Sequence, residues 1–385
     1  MSALRLSEAH HASARARLRE RAARAGLDGL LLLHAPHIAY ATGLFLAANE
    51  RPMGLWLPVE GEPILLMPQL ELENATCPAI PDLRFYPEFP GEVPPVLWML
   101  DQIGRKRIGI DRLDARLLAP VQAASLHVDL TDHCMLERFI KTDAELALIR
   151  CAATYADAVL HRLHAAAGDI IRAGGTEQEL MADAVGHVTR ILRADLGAEF
   201  QGTPLGITAS VHSGPRAALP HGAVIKRTPQ YGETLISGIG CHIGGYHAES
   251  GITLIVGEMS TEQRRVMQAM QACNDAGVNA LAARLPCAAV DSAAMEPLRA
   301  AGLGDAIRHR IGHGMGLEGH EAPWLSVGDK TVPQTGMVFS NEPGVYRPDR
   351  DGYRTINTMI VTDTGVEIPS RFQSDVPIDA RVIPL

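Results

Sequence analysis

Apolar and polar positions alternate along this chain in two different rhythms. Residues 8–27 repeat with a helical period that Gly26 or Gly29 can end, and Gly29-Leu30-Leu31-Leu32-Leu33 follows as a short apolar run expected of a buried strand. Leu55-Trp56-Leu57-Pro58 and Pro63-Ile64-Leu65-Leu66-Met67 flank Glu60-Gly61-Glu62, which predicts a hairpin. Arg107-Ile108-Gly109-Ile110-Asp111 predicts another strand, followed by an Ala/Leu-rich helix. This alternation predicts a small α/β layer domain over residues 1–135. Beyond it the helical rhythm dominates, over roughly 143–168, 175–194 and 260–284. Thr142 with Glu145, and Ser260 with Gln263, have the spacing of capping boxes.

A length of 385 residues fits two domains. With 46% apolar and 21% charged residues the chain reads as an ordinary globular protein. A net charge of −9 leaves no basic excess for nucleic acid or an anionic membrane. Arg15, Arg17, Arg19, Arg21 and Arg24 read as the solvated face of the opening helix. No apolar run is long enough to span a bilayer, and residues 1–27 lack the apolar core of a signal peptide. Six cysteines, including Cys77, form no C-x-x-C pair, so a cytoplasmic protein with free thiols is expected.

Candidate chemistry gathers in the second half, in Gly312-His313-Gly314-Met315-Gly316-Leu317-Glu318-Gly319-His320 and Ser340-Asn341-Glu342-Pro343-Gly344. These segments, with the opening Leu136–Leu146 and the loop Val211–His221, resemble the pita-bread superfamily, which includes prolidase, aminopeptidase P, methionine aminopeptidase and creatinase. The resemblance is strong over 141–385 and loose over 1–135. It implies an α/β N-terminal domain, an α+β pita-bread catalytic domain at 141–385, and a homodimer.

Peptidases of this fold hold two divalent ions with two Asp, one His and two Glu. Carried onto this chain, the pattern puts the first Asp at Gly238, the second at Glu249, the His at His313, and the Glu pair at Glu342 and Ile356. Only two carboxylates remain, so two dications would leave about +2 in a poorly solvated pocket, which is prohibitive. A hairpin turning around Ile243-Gly244 would set Gly238 opposite Glu249 and make room for the longer acid.

Two readings of this centre follow. In the first there is no cofactor: Glu249 and Glu342 clasp a cationic or zwitterionic small molecule, His221 moves protons as its match does in creatinase, and a non-peptide C–N bond of a guanidino, amidino or cyclic amidine compound is hydrolysed. In the second, Glu249, His313 and Glu342 hold one divalent ion (Mn, Fe, Co or Zn) in an Xaa-Pro dipeptidase-like enzyme. A non-catalytic binding protein on the same fold is a third possibility. The first is the leading expectation, with His221, Glu249, His313, His320 and Glu342 catalytic and Tyr246, His247 and Arg354 against the substrate. Arg216 is a second candidate carboxylate anchor, while His10, His11, His34, His161, His164 and His187 read as ordinary polar residues.

Overall fold

The apolar run after the first helix becomes β1 (Gly29–Leu32), an interior strand buried along its length. It pairs antiparallel with β2 (Gly54–Pro58), which pairs antiparallel with β3 (Ile64–Pro68); β4 (Asp82–Tyr86) runs parallel to β3. On its other side β1 runs parallel to β5 (Arg107–Ile110), and β5 parallel to β6 (His127–Leu130). One face packs Leu31, Trp56, Leu66 and Ile108 against Met99 and Val121 of two covering helices. These elements belong to a compact unit, Arg5–Arg138. The computed structural model describes residues 4–75 and 79–385, and Cys77 lies outside them. The other five cysteines are free.

The opening helix, Glu8–Arg24, is not simply solvated along its arginines. Arg15 is buried, donating to the Ala41 carbonyl and pairing with Glu8. Arg17 and Arg21 both pair with Glu137. The acid that collects them lies more than a hundred residues away, so the charge spacing alone gave no sign of it.

Phe139–Leu385 form the second unit. Its strands β7 (Leu205–Ser213), β8 (Thr234–Ile243), β9 (Tyr246–Val256), β10 (Gly312–Gly314), β11 (Glu321–Leu325), β12 (Val338–Asn341) and β15 (Ile356–Thr362) join in the order β11-β10-β12-β15-β9-β8-β7. A ribbon of β13 (Gly344–Arg347) and β14 (Asp351–Arg354) stands off this path. The short strands β16 (Gly365–Glu367) and β17 (Val382–Ile383) pair with β15 and β9. Helices Asp143–Arg172 and Glu177–Leu196 pack on each other, and the first lies along β8 and β9. Helices Thr261–Ala282 and Cys287–Ala300 bury Val266, Met270, Val290 and Leu298 against Leu325, Phe339 and Met359.

Capping boxes form at Thr142/Glu145 and Ser260/Gln263, tying up amides that the first helical turn leaves unpaired. No helix among the described residues is long and apolar enough to cross a membrane.

The β8–β9 register departs from the sequence expectation. The turn falls on Gly244-Gly245, both with positive φ (56° and 82°), and closes on the pair Ile243/Tyr246. Two successive glycines fit the tight hairpin turns that demand this backbone. Glu249 therefore stands opposite Gly240, and Gly238 opposite Gly251.

Candidate active site

Glu249, His313 and Glu342 reach one point from three strands. His313 sits mid-β10, paired with Ser340 of β12, and Glu342 follows β12 directly, its amide donating to the Ile311 carbonyl at 2.7 Å. The side chain of Asn341 donates to Asn274 at 3.0 Å, anchoring the end of β12. Glu249 is set on β9 by the Thr358 hydroxyl, which accepts from its amide and donates to its carbonyl, each at 2.8 Å.

The glycines of the 312–316 segment are packing requirements. A Cβ on Gly312 would sit 1.9 Å from the Ser340 carbonyl oxygen, and one on Gly316 would meet the Glu321 carboxylate at 2.5 Å. Glu321 in turn takes an ion pair from Lys141 at 2.9 Å, with both side chains shut away from solvent. This pair fastens the strand that begins next to His320. Neither Lys141 nor Glu321 stands out in the sequence; the only signal was Glu321's place directly after a motif histidine.

His313 is fully buried, and its Nδ1 lies 3.0 Å from the Gly314 carbonyl. A carbonyl only accepts, so Nδ1 carries the proton. Nε2 then points at two carboxylates, 3.3 Å from Glu342 Oε1 and 3.8 Å from Glu249 Oε2. Both His313 Nε2 and Glu249 Oε2 are buried without a hydrogen-bond partner. A neutral imidazole would aim its electron pair at negative oxygens, so a positive charge must lie between them, either a proton or a metal ion. Without an ion the proton takes that place. Burial opposes a charged His313, but the contact with Glu342 and the charges of both acids outweigh it and raise its pKa. Burial likewise works against the Glu342 carboxylate, and the contact with His313 overrides it, holding the carboxyl down at about 2. Glu249 goes the other way: burial lifts its pKa, with His313 opposing and Glu342 reinforcing.

His320 stacks on His313 with ring centroids 3.7 Å apart, and its Nε2 lies 4.0 Å from Glu249 Oε1. Desolvation and then the neighbouring His313 charge push its pKa down to about 4. Ligand atoms of Glu249, His313 and His320 all fall within 4.8 Å of one another. Ligands about 2.1 Å from one ion stand roughly 3–3.5 Å apart, so the Glu342 and Glu249 oxygens, 3.3 and 3.8 Å from His313 Nε2, fit a single divalent ion with His313 after small adjustments, and His320 stands beside that ion. The donor set for a second ion does not fit. Gly238 offers no ligand, and Ile356 pairs with Gly251 and packs its branch over the place where a Gly251 Cβ would be, 2.6 Å away.

A cleft of about 280 Å³ opens onto this point, lined among others by Thr208, Ser210, His221, Glu249, His320 and Arg354. His221 is exposed at its wall. Arg354 is buried and donates to the Pro220 carbonyl at 3.0 Å and to Ser210 Oγ at 3.2 Å. Thr208 and Ser210 on β7 went unnoticed in the sequence, because nothing local distinguishes a wall strand from any other.

Two of the expected substrate contacts lie elsewhere. Tyr246 is buried and donates its hydroxyl to Glu145 at 2.5 Å, on the face of β9 opposite to Glu249. His247 shares the face of Glu249, but its Nδ1 donates to the Gly316 carbonyl at 3.1 Å and its ring packs by His242. Arg216 faces the buried Glu177 at 3.6 Å and does not line the cleft.

Residues 147–363 match the family model for metallopeptidase family M24, and residues 15–150 match that of the creatinase/prolidase N-terminal domain. With more than half the sequence inside the first match, the chain belongs to metallopeptidase family M24, as a pita-bread hydrolase. It is 31% identical over 349 residues to the probable dipeptidase PepE of Mycobacterium tuberculosis, covering 89% of each chain. It is also 31% identical over 230 residues to the Xaa-Pro dipeptidase of Pyrococcus furiosus, covering 60% of this chain and 62% of that one. Among solved structures, dipeptidase PepE from Mycobacterium ulcerans superposes with a TM-score of 0.81 at 28% identity, over 99% of this chain and 100% of the other.

These relatives overturn two expectations. The leading reading, a hydrolase of non-peptide C–N bonds, gives way because the relatives that span most of the chain are dipeptidases. The expectation of no cofactor gives way to membership of a metallopeptidase family and to the donor set around His313. The error has a physical root: two buried carboxylates suit an amidinium and a metal ion equally, and the charge count alone does not separate them.

Proposed function

We propose that this protein is a peptidase for short peptides of dipeptide size, working with one divalent ion held by Glu249, His313 and Glu342. The observation that carries this reading is the His313 imidazole, whose Nδ1 is committed to the Gly314 carbonyl and whose Nε2 faces two carboxylates at 3.3 and 3.8 Å, in a chain 31% identical to a probable dipeptidase over 89% of its length. The cleft of about 280 Å³ lies at the small end of ligand pockets, about 300 Å³, which supports a short substrate. When bound, such an ion supplies Lewis-acid polarisation of the scissile carbonyl and lowers the pKa of water.

The chain's own groups do the rest. The Glu249 carboxylate, which lines the cleft, accepts a proton from the attacking water. His320, kept neutral, donates an N–H to the oxygen on which charge builds. His221, at the cleft wall, delivers a proton to the departing amide nitrogen. Arg354 fixes the Pro220 carbonyl and so the start of the His221 segment.

The test is hydrolysis of a dipeptide panel, Xaa-Pro and others, by protein stripped with chelator and reloaded with Mn²⁺, Co²⁺ or Zn²⁺. Cleavage that depends on the ion and vanishes in His313→Ala is expected. Undiminished cleavage by stripped protein, or no cleavage of any member with ion bound, would refute the proposal.

A further inference from the structure

The ground where a second ion would need its ligands is filled by the chain itself. A Cβ on Gly238 would fall 2.7 Å from Arg354 Nη2 and 3.1 Å from Ile356 Cδ1. A guanidinium and an apolar branch thus occupy the space next to Gly238, on the same hairpin as Glu249. Arg354 is 7% exposed, tethered through Nη1 and Nη2 to Pro220 and Ser210, and its Nε is buried with no partner.

We propose that Arg354 supplies, as a fixed guanidinium, the second positive charge of this centre, so that each chain takes up one divalent ion and excludes another. The inference rests on the one-ion reading above and deepens it. Two carboxylates, one dication and one guanidinium sum to a single positive charge. A second dication would raise that to three in a cleft of about 280 Å³, a burden that buried sites do not carry without added carboxylates. Ile356 is apolar and Gly238 carries no side chain, so neither position offers a ligand to a second ion.

The fixed charge also repels the ion that does bind, which gives a readout independent of catalysis. Stripped protein is titrated calorimetrically with Mn²⁺, and bound metal is counted by mass spectrometry after gel filtration. The wild type should bind one ion per chain. Arg354→Met should bind one ion about tenfold more tightly, while Arg354→Lys, which keeps the charge, should stay near the wild-type affinity. A structural role alone would weaken binding in both variants. Gly238→Asp combined with Ile356→Glu and Arg354→Met should bind two.

Two ions in the wild type overturn this inference and leave the peptidase reading intact. Unchanged or weaker binding in Arg354→Met with a native circular dichroism spectrum overturns it as well. No bound ion in the wild type removes the one-ion peptidase and this inference together. The wild-type count needs no variant to fold.

Discussion

Replacing Lys141 with methionine isolates the buried pair that fastens the His320 strand. Lys141 Nζ lies 2.9 Å from Glu321 Oε1, with side-chain exposures of 2% and 0%. The variant leaves Glu321 charged in a dry site, where the Glu318 amide still donates to it at 3.2 Å. Loss of one member of a buried pair costs about 3–5 kcal/mol, most of it the stranded charge rather than the lost attraction. At roughly 2–4 °C per kcal/mol for a unit of this size, the thermal transition of the Phe139–Leu385 unit should fall by roughly 6–20 °C. Differential scanning calorimetry at pH 7 measures this directly. The double variant Lys141→Met with Glu321→Met should recover most of the loss, since an apolar pair removes the stranded charge. A drop below about 1 kcal/mol in the single variant, or a double variant no better than the single, would refute the argument.

His313→Ala should lower bound Mn²⁺ by at least about tenfold in equilibrium dialysis, because a buried ligand and the tautomer fixed by Gly314 are lost together. Gly251→Ala places a methyl 2.6 Å from Ile356 Cγ1 and should cost about 1–3 kcal/mol in urea unfolding, relieved when Ile356→Ala is added. His242, packed by His247, is held by burial at a pKa of about 4. The unfolded chain, near 6.5, takes the proton first, so stability falls as pH drops from about 6.5 to about 4, by at most about 3 kcal/mol. His242→Asn should flatten that part of the pH–stability curve, and an unchanged slope would exclude His242 as its source.

Legibility tracked distance along the chain. Glu249, His313, His320 and Glu342 were readable because they sit in short motifs whose glycines leave no room for other residues. Strand alternation already implied that Tyr246 cannot share a face with Glu249, and its burial against Glu145 follows from that parity. The hairpin register was ambiguous because Ile243-Gly244 and Gly244-Gly245 both look like turns, and only the paired positive φ angles decide. The contacts of Arg354 to Ser210 and Pro220 span 144 and 134 residues, and no local pattern encodes them. The need for a cation between the two acids lay in the Nδ1 contact of His313 with the Gly314 carbonyl, which a sequence does not display.

The Gly244-Gly245 bend acts as the gauge that sets the reach of one catalytic arm. With five pairs separating it from the line where Gly238 meets Gly251, its length alone fixes which side chains of β9 look toward His313. One residue added there would rotate the arm by half a repeat, presenting Ala248 toward His313 and turning Glu249 toward the helix behind the sheet. The arrangement of Glu249 toward His313 therefore hinges on a corner remote from both side chains.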